Sequence, residues 1–503
     1  MVFKPADSTL RAAAVSSSAV NSLLETRRIF VAVLVLGFFA LAARAMSDPD
    51  VWWHLRTGQL IVENHKVPHL DPYSFTRAGQ PWVNHEWLSQ VAIYAMYRLA
   101  GWGGLIVAFA AIVAVNLWMV YLRCPGRPYI AGIFTVWGAT ASAPIWGVRP
   151  QMFSLLLASI FLLILERSDK HPRLLLWMTP LIVLWVNLHG GYLVGIGLMV
   201  LFLVGNVLEV MFGSENWKGA APHLRRLALA LVACLAVVPL NPNGIRMYRY
   251  PLETLSSRSM QAYVDEWLSP NFHQAKELSF LYMLLAVLLA LGLSPRRLRA
   301  RELLLLVATM WLALHSVRHI PIFVLVAVPM LSASTQFWLE ERGTRSWLGS
   351  TVRSPRSPRR LVNAMILAAF VVFTIVRIRV VITDQPKTEA QHFPSAAVSF
   401  LARERPPGPI LNDYNWGGYL TAKLYPEYRV FIDGRADLYG DSFMDDFYAT
   451  YHLTDGWKCP IEQWQIRTIL LPPDAPLVTA LRSQLGWKQL YADSQSVVLT
   501  QTK

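Results

Sequence analysis

A series of about eleven apolar runs, parted by short polar connections, constrains this chain more than any other feature. About 20 apolar residues in helical form span the hydrocarbon layer of a bilayer. The runs read as Ile29 to Met46, Trp102 to Leu122, Tyr129 to Trp146, Met152 to Leu165, Leu174 to Leu188, Tyr192 to Phe212, Leu227 to Leu240, Leu278 to Leu293, Leu303 to Ser316, Ile320 to Phe337 and Leu361 to Val376. Several fall short of a full crossing, so their ends must extend into flanking polar residues or be covered by neighbours. At 54% hydrophobic and 16% charged over 503 residues, the chain is too apolar for an ordinary soluble protein. The expected fold class is a polytopic α-helical membrane protein.

Charge placement tests that expectation independently. Arg27 and Arg28 precede the first run, which puts the N-terminus in the cytoplasm by the positive-inside rule. Every second connection should then be basic. Those connections carry Arg123 and Arg127; Arg167, Lys170 and Arg173; Lys218, Arg225 and Arg226; Arg296 to Arg301; and Arg342 to Arg360. The net charge of +14 is therefore a mark of topology, and no nucleic-acid partner is expected. A multi-pass protein of a bacterial-type inner (cytoplasmic) membrane follows. The first run ends in LAARAMS, so a cleaved signal is an alternative to an anchored span, and Asp48 lies outside in both cases. Cys124, Cys234 and Cys459 are too scattered for a disulfide framework or a cysteine metal site.

The outer connections differ in kind. Ser47 to Leu88 collects Asp48, Asp50, His54, Arg56, His69, Asp71, His85 and Glu86 among Trp52, Trp53, Tyr73, Phe75, Trp82 and Trp87. Arg149 and Gln151 follow in the next outer connection, then Asn187 and His189, then Asn241 and Asn243 running on to Asp265 and Glu266, then Arg318 and His319. Polar residues thus gather at one membrane edge while the span centres stay almost uncharged. From about Asp384 the composition becomes that of a soluble α/β domain. Strands are expected at Ile410 to Leu411, Arg429 to Ile432, Thr468 to Leu471 and a hairpin through Gln489 to Thr500. Helices are expected at Gly417 to Leu424, Phe443 to His452 and Ala475 to Leu485. The chain divides into a cytoplasmic segment (1–28), a membrane domain (29–381) with its outer loop (47–88), and an extracytoplasmic domain (382–503).

Each polar group has a structural and a chemical reading. Asp48, Pro49 and Asp50 fit an N-cap, first helical position and first-turn acid. In that helix Asp50 and His54 share a face with Thr57 one turn on, which leaves Asp50 or Asp48 as candidate general base or metal ligand. His65 and His69 have zinc-like spacing, but Pro68 breaks the helix between them. His85 and Glu86 open an amphipathic stretch to Ala100, where Glu86 is a first-turn acid or a site residue. Arg149, Arg318 and His319 either snorkel to headgroups or clamp a lipid phosphate. Asp265 and Glu266 form a solvated acidic turn or contact substrate. Asn187, His189, Asn241 and Asn243, each near Gly or Pro, read as turn and cap residues. In the tail, NDYNWGG (Asn412 to Gly418) and FIDGRADLY (Phe431 to Tyr439) each follow a strand and bring glycine where backbone approaches closely.

These residues resemble the GT-C superfamily of membrane glycosyltransferases. DVWWHLR (Asp50 to Arg56), Pro68 and DPY (Asp71 to Tyr73) are similar to the first outer loop of oligosaccharyltransferase catalytic subunits. Asp50, the amphipathic helix and LAGWGGL (Leu99 to Leu105) are similar to the protein mannosyltransferase and aminoarabinose transferase group. DYNWGG (Asp413 to Gly418) resembles the Trp-Trp-Asp-Tyr-Gly motif of oligosaccharyltransferases. Arg149 stands where those enzymes carry a second acidic pair.

The resemblance implies a GT-C-like fold and transfer of a sugar from a polyprenyl-phosphate-linked donor to a glycan, lipid or protein acceptor on the outer face, next to membrane lipid. Asp50 or Asp48 would act on the acceptor, with Mg or Mn held there if a divalent cation takes part. His54, Arg56, Asp71, His85, Glu86, Arg149, Asp265, Glu266, Arg318 and His319 would contact substrate. A transporter or flippase, or a non-catalytic assembly protein on the same fold, are the alternatives. A transporter calls for ionisable residues at span centres and a repeat between halves, and the sequence has neither.

Overall fold

The computed structural model describes residues 25–213, 216–294, 296–342 and 357–502. Each predicted run overlaps a helix, though the helix of the Leu227 run begins at Trp217 and that of the Leu361 run continues to His392. In chain order the membrane part comprises α1 (Thr26–Ala42), α2 (Asp50–Asn64), α3 (Trp87–Arg123), α4 (Pro128–Ser142), α5 (Gln151–Ser168), α6 (Met178–Leu188), α7 (Tyr192–Phe212) and α8 (Trp217–Ala236). Two short helices follow, α9 (Tyr250–Ser256) and α10 (Arg258–Tyr263), then α11 (Leu278–Leu293), α12 (Ala300–His315), α13 (Ile320–Glu341) and α14 (Ser357–His392). Among the described residues seven helices are long and apolar enough to cross a membrane: Trp87–Arg123, Gln151–Ser168, Tyr192–Phe212, Trp217–Leu240, Ala275–Leu293, Val317–Glu341 and Arg360–His392. Helix α14 continues to His392, past the point where the composition changes. The chain is thus a multi-pass membrane protein.

Helix α3 joins two pieces that the sequence distinguishes. Ala100 and Gly101 leave helical geometry, Gly101 at φ 57° and ψ −151°. Glycine alone adopts that backbone without strain. The break turns the amphipathic segment from Trp87 away from the membrane span that starts at Trp102. The bundle interior is apolar and aromatic, with Phe161 against Trp185 at 5.2 Å and Phe280 against Phe323 at 5.5 Å between ring centroids. At helix ends, Arg123 Nη2 pairs with Glu166 at 2.7 Å and Arg301 Nη2 with Asp169 at 2.7 Å.

The tail adds α15 (Ser395–Glu404), β1 (Ile410–Asn412), α16 (Gly417–Leu424), α17 (Ala436–Tyr439), α18 (Asp441–His452), α19 (Cys459–Gln463), β2 (Thr468–Leu471), α20 (Pro476–Arg482), β3 (Trp487–Ala492) and β4 (Val497–Gln501). The sheet order is β1-β2-β4-β3, with β1 parallel to β2 and the remaining pairs antiparallel. The expected strand at Arg429 to Ile432 is not part of it. Val430 instead makes an isolated parallel bridge to Ser74 of the first outer loop, because its hydrogen bonds go to Tyr73 O and Phe75 N.

That bridge belongs to a broad contact between loop and tail. Thr76 Oγ1 donates to Phe431 O, and Arg77 Nη2 to Tyr439 O. Trp52 of α2 meets Trp102, Phe393 and Tyr419 at 4.9, 5.5 and 4.7 Å, so one hydrophobic core runs from α3 through α2 into the tail. Helix α2 is gripped from the tail side by α16: a Cβ on Gly418 would stand 2.7 Å from Pro49 O and 3.1 Å from Trp53 Cδ1. Only glycine lets the two backbones approach so closely.

Candidate active site

Helix α2 begins at Asp50, with Pro49 already at helical dihedrals and Asp48 Oδ1 accepting the Asp50 N–H at 2.9 Å. Asp48 therefore does the capping while its other oxygen faces Arg149. Asp50, one residue on, is free of that duty. Its Oδ1 accepts from Trp53 Nε1 at 3.0 Å, and among the described residues it has no ion pair. The carboxylate points into a cavity of about 690 Å³.

The polar end of this cavity is built from every outer connection the sequence singled out: Asp50, His54, His85 and Glu86 of the first, Arg149 of the second, His189 of the third, Asp265 and Glu266 of the fourth, and Arg318 and His319 of the fifth. The opposite end is apolar, walled by Leu193, Val194, Leu198 and Leu201 of α7 and by Ala308 and Leu312 of α12. A second cavity of about 390 Å³ reaches Asp48 and shares Arg149, Asp265 and Glu266 with the first.

Two ionic groupings organise the polar end. In one, Arg149 Nε pairs with Asp48 Oδ2 and Arg149 Nη1 donates to Glu266 Oε2. Glu266 also faces Arg318 Nη1 at 3.8 Å, and the Arg318 guanidinium lies over Trp267 at 4.3 Å. Burial works to raise the Glu266 carboxyl, but Arg149 and Arg318 outweigh it and hold it below the usual range. Arg149 is thus taken up by two carboxylates, whereas Arg318 stands beyond hydrogen-bond distance of its nearest one and keeps donors for a ligand.

In the other grouping, three imidazoles surround one carboxylate. Glu86 lies 2.9 Å from His85 Nε2, 3.6 Å from His54 Nε2 and 4.0 Å from His189 Nε2. Burial opposes ionisation of Glu86, yet the neighbouring His85 brings it down to about 2. His85 is raised, because Glu86 outweighs its own burial, while burial lowers His54 to about 4 and His189 to about 3. At neutral pH Glu86 is thus a carboxylate and the His54 and His189 rings are neutral, while His85 is biased toward its imidazolium form. His189 Nδ1 meets Ser154 Oγ at 2.8 Å and accepts from Gly191 N–H at 3.0 Å, so its turn role and its place in the cavity coincide.

Asp50 behaves oppositely to Glu86. Burial pushes it up to about 7, against the Trp53 hydrogen bond, with Glu266, Glu86 and Asp433 adding to the rise. A carboxylate poised near neutral pH and open to a cavity is suited to accept a proton.

Two predicted contact residues lie elsewhere. Arg56 donates to Gln59 Oε1 at 2.9 Å and stacks on Tyr425 at 5.4 Å, outside the cavity. Asp71 is 3% exposed and spends its oxygens on the amides of Tyr73 and Ser74 and on Arg435 Nη1 at 2.8 Å. Its DPY context makes a turn, not a substrate contact. Conversely, Tyr250, Tyr414, Asn415, Gly434, Arg435 and Asp437 line the cavity and were not assigned as site residues. The tail ones lie in the NDYNWGG and FIDGRADLY segments, whose glycines were the available signal. Tyr250 donates to Asp437 Oδ2 at 3.0 Å, and its ring meets that of His85 at 4.5 Å between centroids with a tilt of 42°.

A divalent cation at Asp48 and Asp50 does not fit this donor set. The Arg149 guanidinium occupies the position beside Asp48, and among the described residues no group of three His, Cys, Asp or Glu side chains is arranged to hold a metal ion.

No protein family profile and no curated protein sequence matches the chain. Solved structures do. The apo oligosaccharyltransferase of Archaeoglobus fulgidus superposes with a TM-score of 0.55 at 10% identity, covering 96% of this chain and 75% of that one. The archaeal oligosaccharyltransferase AglB in complex with an inhibitory peptide and a dolichol-phosphate gives a TM-score of 0.54 at 12% identity, covering 88% and 69%. ArnT from Cupriavidus metallidurans bound to undecaprenyl phosphate gives 0.47 at 15% identity, covering 94% and 97%. The fold is that of the Archaeoglobus fulgidus oligosaccharyltransferase.

Proposed function

We propose that this GT-C-fold chain is an integral membrane glycosyltransferase that moves a sugar from a polyprenyl-phosphate-linked donor to a glycan, lipid or protein acceptor. The observation that carries the reading is a single cavity in which Asp50 meets Arg318 and His319, and which continues as an apolar arm between α7 and α12. An acid that titrates near neutrality, a guanidinium and an imidazole for a leaving phosphate and a channel for an isoprenoid chain are the parts such a transfer needs. In this reading the membrane domain (29–381) holds the lipid carrier. The first loop and the tail (382–503) enclose the reacting groups on the outer face of an inner membrane, with the N-terminus cytoplasmic.

Asp50 takes the proton of the acceptor group as that group attacks the anomeric carbon. The bond from that carbon to the phosphate oxygen breaks, and the phosphate departs on its lipid with both bonding electrons. Arg318 and His319 receive it, Arg318 using the donors that Glu266 leaves uncommitted. Arg149 orients Asp48 and Glu266 behind them. Charge-directed donors in a largely water-excluded cleft stabilise such a leaving group far more than in water.

The test is sugar transfer from a polyprenyl-phosphate-linked donor by the purified protein in bilayers. Asp50→Asn and Arg318→Ala should each lower turnover by roughly 10²-fold or more. Full turnover in both would overturn the mechanism and favour a non-catalytic or transport role.

A further inference from the structure

The wall over Asp50 comes from the far end of the chain. A Cβ on Gly434 would overlap Asp50 Oδ1 and stand 3.4 Å from Trp53 Nε1, so the tail backbone lies directly on the carboxylate and its indole donor. Gly434 sits between Asp433 and Arg435, which are 0% and 2% exposed. Arg435 donates from Nε to Asp433 Oδ1 at 2.9 Å and from Nη2 to Asp433 Oδ2 at 2.6 Å, while Nη1 lies 2.8 Å from Asp71 Oδ1. Its guanidinium is sandwiched by aromatic rings of the first loop, Trp82 at 4.6 Å and Tyr73 at 5.2 Å.

A buried ionic triad of this kind adds little stability over apolar side chains of the same volume, but it fixes position sharply, because each group has one geometry that satisfies it. Here the position fixed is that of the intervening glycine. Asp71 is anchored in turn by the loop amides it accepts from, so the chain of contacts runs from the first loop, through Arg435, to the Gly434 backbone.

We propose that Arg435 is a positioning residue: by bridging Asp71 of the first loop and Asp433 of the tail, it presses Gly434 onto the Asp50 carboxylate and closes the Oδ1 side of it to water. Its importance for turnover rests on the reading of Asp50 as the base, but the closure itself is a property of the carboxylate. The other charged or titratable groups around Asp50 are Glu86 beside α3, Glu266 with its partner Arg149, and Asp433 and the Tyr414 phenol of the tail. All three carboxylates favour the neutral form of Asp50, as does burial; losing Arg435 bares Asp433, which acts toward a higher midpoint, so a shift toward acid reads the loss of burial.

The Trp53 indole N–H, bonded to Asp50, reports the carboxylate without any substrate. In protein labelled with 15N-tryptophan and assigned through Trp53→Phe, its resonance should titrate with a midpoint near 7, and Asp50→Asn should abolish that titration. Arg435→Gln should move the midpoint toward acid by about one pH unit or more as water reaches the carboxylate. Arg435→Lys keeps the charge without the fork that spans two carboxylates, so it should fall between. A midpoint unmoved in folded Arg435→Gln overturns the proposal. Should that variant fail to fold, Gly434→Ala leaves the triad intact and displaces only the contact; an unmoved midpoint there overturns it equally. Turnover separates the two readings: a shifted midpoint in a protein that transfers no sugar even as wild type upholds the closure and removes the transferase.

Discussion

Glu86 and its three imidazoles set how the protein responds to acid. Between pH 6.5 and about 4 the unfolded chain protonates His54 and His189 while the folded one resists, so stability falls as pH drops, by up to about 1.4 kcal/mol per pH unit for each proton. Glu86, held down at about 2, extends the loss below pH 4.5. His85 runs the other way: its raised value contributes stability below 6.5 that fades as pH rises through its folded value. Thermal unfolding followed from pH 4 to 8 should show His189→Gln flattening the acid slope relative to the wild type, while Asp50, raised to about 7, acts in the opposite sense across the same range. Catalysis should follow Asp50 separately, with turnover of the wild type climbing as pH rises through about 7. These side chains were individually visible in the sequence, but their opposite ionisation was not. Asp50 and Glu86 both read as first-turn acids. Only the contacts, an indole for one and three imidazoles for the other, tell a base from a clamp.

At the scale of elements, apolar runs located helices, seven of which among the described residues are long and apolar enough to cross a membrane, and the glycine in LAGWGGL marked where α3 breaks. Gly101→Ala places a side chain at a backbone conformation that costs about 1–3 kcal/mol. It should lower the unfolding temperature while leaving donor affinity unchanged, because the break lies outside the cavity. The tail was legible in part: β1, β2 and the terminal hairpin fall where alternation and turn residues put them. Arg429 to Ile432 misled because an apolar β-prone run has the same pattern whether it joins a sheet or bridges to a distant loop. Its partner, Ser74, stands hundreds of positions earlier, and no local rule identifies it. Arg56 and Asp71 misled for a related reason, since charged residues in an aromatic loop serve packing as readily as ligands.

Across the whole molecule, the gathering of polar residues at one membrane edge followed from alternation of the spans, but the cavity did not, since hydropathy carries no distances between connections. The same holds for the apolar arm, whose α7 and α12 lie far apart in sequence. Gly197 lines that arm, and a Cβ there would meet nothing within 4 Å. Gly197→Phe should therefore fold normally and raise KM for a polyprenyl-linked donor about tenfold or more by filling the space of its chain. Loop and tail share one hydrophobic core through Trp52, and the carboxylate near the start of the chain is roofed by a glycine near its end. A chain translated only as far as the helix of Asp50 carries that carboxylate in water with ordinary acidity, so its altered acidity exists only once the segment around Gly434, hundreds of residues later, has been made and docked.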